Sequence, residues 1–194
     1  MPKRRIFIAV QVPEEVKNTA EFYLKPFLND RNIRIPKKEG WHITLIFCGY
    51  LDDKEETALE EIVKRAVLGL KSFEFAPRKI LFAPLSRPRM IWLTFVAPAG
   101  FANLKNKIEN DILALQSCGL FRDFRRENRE PNSHLTLARF EENYFWQIKK
   151  FLPEKGVDLT EETEPFSAKS VDIMESHLSR QGADYELVLS ITLK

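Results

Sequence analysis

Residues His42-Ile43-Thr44-Leu45 and His134-Leu135-Thr136-Leu137 repeat one pattern in a chain of 194 residues that holds three histidines. Side chains of a strand alternate between its faces, so the spacing puts His42 and Thr44 on one face and Trp41, Ile43, Leu45 and Phe47 on the other. The same parity pairs His134 with Thr136 and turns Leu135 and Leu137 away from them. Each strand then offers an imidazole and a hydroxyl on one side and an apolar surface on the other. Core packing has no need of His and Thr at the same offset twice, so the repetition points to chemistry.

Working outward, the first motif sits in a strand–helix–strand rhythm. Ile6 to Val12 is apolar and β-branched, a buried strand, and Pro13-Glu14-Glu15 opens a helix limited by Pro26. Asp52 or Asp53 caps a second helix with Leu59, Ile62, Val63, Ala66 and Leu70 on its apolar face. Phe73 to Phe82 and Met90 to Val96 read as paired strands joined by a turn around Pro84 and Pro88. The second half repeats the order. A helix starts after Gly100 and closes at Cys118-Gly119. A strand follows at Ser133 to Phe140, then a short helix through Tyr144, Trp146, Ile148 and Phe151. Strands near Ser167 to Glu175 and Tyr185 to Leu193, parted by Gln181-Gly182, finish the chain. This order predicts an α+β fold with antiparallel sheet, and the shared rhythm suggests an old duplication with two facing lobes.

Composition sets the boundaries. At this length roughly 70% of the unfolded surface is buried, and 44% hydrophobic with 30% charged residues is ordinary for a globular protein. No apolar run reaches the ~18 residues of a membrane span, and the opening apolar stretch is too brief for a signal peptide. Two cysteines, Cys48 and Cys118, fit a reducing compartment, so a cytoplasmic protein is expected, and a monomer, since no heptad seam is visible. Seven glycines without a Gly-rich loop argue against nucleotide-triphosphate and dinucleotide folds. A net charge of +2 is too small for a purely electrostatic nucleic-acid binder. The bases are clustered, however. Arg31, Arg34, Lys37 and Lys38 precede one strand, and Arg78, Lys79, Arg87 and Arg89 surround another. Arg122, Arg125, Arg126 and Arg129 lead into a third. Three such clusters favour one face that accepts phosphates.

Two imidazoles and two hydroxyls suit in-line displacement at phosphorus. Imidazole titrates near ~6.5, so one ring can accept the proton of the attacking oxygen while its twin donates to the leaving oxygen. The Thr hydroxyls can hydrogen-bond the non-bridging oxygens, where transition-state charge gathers. A 2′,3′-cyclic phosphate fits, because its sugar leaving group departs poorly without a proton. This scheme uses no metal or cofactor, and two His without a carboxylate or Cys set are poor zinc ligands.

His42-Ile-Thr-Leu and His134-Leu-Thr-Leu-Ala-Arg139 together resemble the paired motifs of the two-histidine phosphoesterase superfamily. More closely, the chain is similar to the RNA 2′,3′-cyclic phosphodiesterase group, also called 2′-5′ RNA ligases. Arg5-Ile6-Phe7-Ile8-Ala9, Arg87-Pro88-Arg89-Met90-Ile91-Trp92 and Met174-Glu175-Ser176-His177-Leu178 are similar to other segments of that family. Two features depart from it. Ser133 precedes the second motif where proline is usual, and Cys48 follows Phe47 where Leu-Gly is commoner.

The resemblance implies one bilobal α+β domain over residues 1–194, with two pseudo-symmetric lobes, each with an antiparallel sheet lining a central cleft and helices outside. It implies hydrolysis of RNA cyclic-phosphate ends to 2′-phosphates, with 2′-5′ ligation of RNA or tRNA halves as the reverse use of the site. A non-catalytic RNA-end-binding module is the reading from another class, set back because binding alone needs Arg and Lys rather than imidazoles. Carried over by residue, His42 is the acid, His134 the base, and Thr44 and Thr136 hold the phosphate. Arg139 adds positive charge, but its parity is opposite to that of His134, so a bulge or the strand's end must turn it inward. Cys48, sharing the parity of His42, is expected near the cleft rim as a packing residue. His177 falls on no such motif and is expected to be structural or exposed. Phe7, Phe47, Trp92 and Phe140 are expected in the core.

Overall fold

The apolar stretch near the start forms β1 (Arg4–Gln11), followed by α1 (Glu14–Leu24), which tightens into a 3₁₀ turn at Lys25–Phe27 where Pro26 ends it. The computed structural model describes residues 3–127, 133–179 and 182–194. Arg129 of the third basic cluster and Gln181 of the last turn lie outside them. The remaining elements are β2 (Ile33–Arg34), β3 (His42–Leu51), α2 (Asp53–Val67), β4 (Glu74–Ala83), β5 (Met90–Val96) and α3 (Ala99–Gln116). They are followed by β6 (His134–Phe140), α4 (Phe145–Ile148), β7 (Val157–Asp158), β8 (Phe166–Ser167), β9 (Ser170–Ser179) and β10 (Gly182–Thr192).

The α+β class with antiparallel sheet holds, but the described strands form one ten-stranded sheet rather than one sheet per lobe. Its order is β10-β9-β1-β3-β6-β5-β4-β7, with β2 beside β6 and β8 beside β4. Two antiparallel halves meet where β3 and β6 share one register pair, Ile43 with Leu135. The motif-bearing strands are therefore the two that touch. Beneath the seam Ile43 and Leu135 are buried in a core that runs through both halves and takes Leu59, Ile62 and Val63 from α2 and Phe101, Leu104 and Ile108 from α3. Burying side chains of this size contributes about 1.5–3 kcal/mol each. On β1, Ile6, Ile8 and Val10 belong to this core, while Phe7 and Ala9 form a separate small cluster with Met174 and Tyr185 on the opposite face.

Two irregularities decide which side chains reach that opposite face. Ile8 pairs with Ile46 but Ala9 with Thr44, so Leu45 is an extra residue in β3. On β6, Ile91 pairs with Ala138 but Trp92 with Thr136, so Leu137 is extra in the same way. After each bulge the parity inverts. In β3, Leu45 and Ile46 are both buried and Phe47 turns out. In β6, Leu137 and Ala138 are both buried and Arg139 turns out. The bulges occupy equivalent positions in the two motifs, which gives the halves a local twofold likeness.

Helix ends follow the sequence closely. Asp52 caps α2 by accepting from the backbone N–H groups of Lys54 and Glu55, and the Glu55 carboxylate accepts in return from Asp52 N at 3.0 Å. The other Glu55 oxygen accepts from the buried Phe121 N–H at 2.8 Å, tying the cap to the segment after α3. Glu55→Ala removes half a capping box and orphans a buried donor, so a loss of about 2–3 kcal/mol is expected in urea unfolding. Glu55→Gln, which keeps an acceptor oxygen, is expected to lose less. α3 begins two residues earlier than expected, with Pro98 at its N-cap position, and it buries Lys105 and Glu109 as an ion pair at 3.2 Å. The turn before β7 needs Gly156, whose φ is +77° and whose missing Cβ would meet Ile80 O at 2.6 Å. Trp146 does not join the core. It is 70% exposed, with Lys149 Nζ over its ring at 4.6 Å.

Candidate active site

The seam gathers the four motif side chains. Running antiparallel from the Ile43–Leu135 pair, the register sets His42 toward Thr136 and Thr44 toward His134, so imidazoles and hydroxyls alternate about the seam. All four residues are half-buried, with their apolar neighbours beneath them. Across β1, His42 stands opposite Gln11 and Thr44 opposite Ala9. Across β5, His134 stands opposite Thr94 and Thr136 opposite Trp92.

Each imidazole is held by rings. His42 lies against Phe7 at 4.7 Å between centroids and meets the edge of Tyr185 at 4.9 Å. Its Nδ1 is 2.6 Å from Gly40 O, so this nitrogen carries the hydrogen and donates, which leaves Nε2 with its lone pair free for proton transfer. Burial pulls the His42 imidazole down to about 4. The Gly40 carbonyl opposes the shift, and positive charge at His134, Lys17 and Arg139 adds to it. His134 stacks on Trp92 at 3.8 Å and 24°. The Trp92 Nε1–H is buried without a partner among the described residues.

Gly40 makes this clamp possible, since a Cβ there would stand 2.8 Å from Tyr185 Cδ2. Gly40→Ala is expected to push Tyr185 off the His42 edge and lower kcat about tenfold, with His42→Ala setting the floor. An NMR titration of the His42 ring checks the cause, because its depressed pKa should move back toward that of free imidazole in this variant.

The β6 bulge supplies the turn that Arg139 required. Arg139 is exposed on the face of His134 and Thr136, with Met90 Sδ 3.1 Å from its guanidinium and Arg34 directly opposite in register. Burial of part of its surroundings lowers its pKa; Tyr185 opposes this, and Arg34, Arg89 and Arg5 add to it. Guanidinium remains charged throughout. The β3 bulge corrects two expectations. Phe47 is 63% exposed beside Phe7 on the His42 face, whereas Cys48 drops into the core, where burial pushes its thiol up and makes it inert as a nucleophile. Trp92 also lines the site rather than the core, while Phe7 and Phe140 are buried as expected.

A cavity of about 900 Å³ opens beside the seam, lined among others by Thr44, Phe47, Trp92, Thr94 and His134. Much of the clustered basic charge is engaged by acids. Lys37 bonds Asp184 at 2.7 Å, Lys38 bonds Glu21 at 2.8 Å, Arg87 bonds Glu142 and Arg126 lies 3.1 Å from Glu109. The exposed pairs among these contribute little to stability, but all of them offset basic charge that a phosphate-binding face would use. Among the described residues, the one carboxylate–imidazole group with metal-like spacing is Glu175, His177 and Glu186, and it excludes both motif histidines. There His177 Nε2 is 3.1 Å from Glu186 and Nδ1 is 3.7 Å from Glu175, while Arg4 already binds Glu175. Each ring nitrogen faces a different carboxylate, so the imidazole bridges two acids at the surface.

A floor of two imidazole–hydroxyl strands, with an arginine turned toward them by a bulge, sets two proton-transfer groups and two hydroxyl donors beside a fixed positive charge. Residues 10–92 match the family model of the LigT-like phosphoesterases. A Methanocaldococcus jannaschii protein named RNA 2′,3′-cyclic phosphodiesterase is 29% identical over 95% of this chain and 98% of its own length. A Thermotoga maritima protein of the same name is 30% identical over 56% of this chain and 59% of its own. Escherichia coli LigT in its apo form superposes with a TM-score of 0.75 at 17% identity, covering 100% of this chain and 99% of that one. A Thermus thermophilus crystal structure superposes at 0.77 with 21% identity, covering 97% of both chains.

Proposed function

We propose that this chain hydrolyses RNA 2′,3′-cyclic phosphate ends to 2′-phosphates, using His42 and His134 as proton donor and acceptor and no metal ion in the step. The observation that carries this reading is the seam, where two imidazole–hydroxyl pairs alternate about one antiparallel register pair beside Arg139. The names of the relatives support the substrate class. The whole chain is taken as one two-lobed domain acting as a monomer on RNA ends, tRNA halves among them. Its free thiols, Cys48 and Cys118, fit the cytoplasm.

In the proposed step, water attacks phosphorus opposite O3′. His134 takes the water proton, the P–O3′ bond breaks, and His42 gives its proton to the departing O3′. The products are a free 3′-hydroxyl and a 2′-phosphate, with His134 protonated, His42 neutral, and solvent exchange resetting both. Thr44 and Thr136 donate to the non-bridging oxygens, and the Arg139 charge complements the negative charge that builds there. Phe47, apolar and exposed at the cavity, offers a base a stacking surface.

In the free protein His42 is neutral at pH 7, so it must take up a proton from solvent as the substrate binds. An anionic phosphate set against the ring favours the protonated form and raises the pKa. NMR titration of the His42 ring is expected to give about 4 without ligand and a value more than one unit higher with a nucleoside 2′-phosphate bound. A ring that ligand leaves unmoved would transfer the donor role to His134.

The reading as a whole is tested by ³¹P NMR of a short RNA with a 2′,3′-cyclic phosphate, incubated with the protein and EDTA. A 2′-phosphate resonance should replace the cyclic one. A 3′-phosphate would overturn the leaving oxygen, and an unchanged signal with retained RNA affinity would make the chain a binding module.

A further inference from the structure

The cavity beside His134 is larger than the terminal nucleotide requires. Its volume of about 900 Å³ is near the upper end of the ~300–1,000 Å³ range of small-ligand sites. Beyond Phe47, Trp92 and His134 it is lined by Arg78 and Arg125, two guanidiniums that the proposed step does not use.

Charge in this part of the cavity is unevenly balanced. Of the other bases on its wall, Lys105 is paired with Glu109 at 3.2 Å and Lys79 with Asp158 at 3.8 Å. Arg125 donates to the carbonyls of Arg122 and Phe124 at 2.7 and 2.8 Å, which orients the guanidinium, and it has no carboxylate within ion-pair distance among the described residues. Arg78 has no carboxylate within ion-pair distance among the described residues. Of the two acids lining the cavity, Glu109 is already held by Lys105 and Arg126, and Glu127 is exposed. Leu85 lines the same cavity beside Pro84 and is 79% exposed, an apolar surface that nothing in the chain covers among the described residues. Two exposed guanidiniums on the wall of one cavity, Arg125 oriented by its carbonyl partners, with an open apolar surface on the same wall, match a phosphate followed by a base, and arginine suits phosphate because its planar fork binds two oxygens at once.

We propose that Arg78 and Arg125 form a subsite for the phosphate linking the terminal nucleotide to the one 5′ of it, with the preceding base against Leu85. The substrate class is then an RNA strand of two or more nucleotides rather than a mononucleoside cyclic phosphate. This rests on the hydrolase reading above and adds to it a length requirement.

The test compares kcat/KM for adenosine 2′,3′-cyclic phosphate with that for the di- and trinucleotides ending in the same group. Wild type should turn over the dinucleotide at least tenfold more efficiently than the mononucleotide, with little further gain for the trinucleotide. The advantage should shrink as KCl is raised, because counterion release contributes to it. Arg78→Ala/Arg125→Ala should bring the two substrates within twofold of each other while leaving mononucleotide turnover unchanged. Both residues are exposed, and thermal melting confirms that the variant folds. Equal kcat/KM for mono- and dinucleotide in wild type would overturn the subsite, as would an advantage that survives the double substitution. If no cyclic phosphate is turned over, the hydrolase reading fails, and the subsite is judged by binding. Wild type must then hold a dinucleotide 2′-phosphate at least tenfold more tightly than adenosine 2′-phosphate, and the double variant must not.

Discussion

Replacing His42 or His134 with alanine should lower kcat on a cyclic-phosphate RNA end by about 10²–10⁴-fold in each case, the usual worth of a positioned acid or base. Both side chains are half-buried on the cavity side of the sheet, above a core they do not help to fill, so folding should persist. In the proposed step the two rings act on one proton inventory. The double variant is therefore expected to lose little beyond the weaker single variant, since groups that act as a unit are strongly non-additive. Thr44→Val and Thr136→Val keep the shape and lose the donor, and should cost about one to two orders of magnitude less than the histidine changes. Single-turnover kinetics with saturating protein separates these losses from weaker binding. More than a tenth of wild-type kcat remaining in either alanine variant would remove that histidine from the chemistry.

The second large effect is on stability. His42 has a folded pKa of about 4, below the ~6.5 of an unfolded-chain imidazole. As pH falls from 6.5 the unfolded chain takes up a proton that the folded protein refuses, so the native state loses stability until about pH 4 and levels off below it. The depression corresponds to at most about 3 kcal/mol over the whole window. Carboxylates also titrate near the lower end, so the comparison is with His42→Phe, which keeps a ring between Phe7 and Tyr185. Urea unfolding at pH 7.5 and 4.5 should show wild type losing about 2–3 kcal/mol more than this variant. Parallel losses in the two proteins would mean that the ring titrates freely in the folded state.

The longer strands, the Asp52 cap of α2 and the two histidine motifs were legible in the sequence because period-two alternation, a capping Asp, and the Pro and Gly stops are local signals, whereas the two-residue strands β2, β7 and β8 are too short to leave a pattern. The α+β class followed from their order. What local periodicity could not carry was the consequence of an extra residue. Strict alternation placed Phe47 in the core and Cys48 at the cleft, and one bulge at Leu45 exchanged them. The same inversion at Leu137 was anticipated for Arg139 only because its role demanded it, although Leu-Ile and Leu-Ala stand at the same place after each Thr. Two adjacent buried apolar residues inside an alternating strand were the available signal. Trp92, Gly40 and Tyr185 were beyond reach for another reason. Their importance comes from cross-strand neighbours and loop approach, which no window of one strand contains. The net count of basic residues also misled, since several of the clustered lysines and arginines meet acids from distant segments.

The paired bulges bear on the polarity of the substrate. A cleft with two interchangeable halves would seat a cyclic phosphate equally well in either sense and release two isomeric products in comparable amounts. In this chain the halves match in imidazole, hydroxyl and backbone, and then diverge at the residue each bulge turns outward, Phe47 on one side and Arg139 on the other. An apolar ring and a cation cannot serve the same part of a nucleotide. That single mismatch, set in an otherwise twofold frame, is what can tell one end of the ligand from the other and give the site a direction.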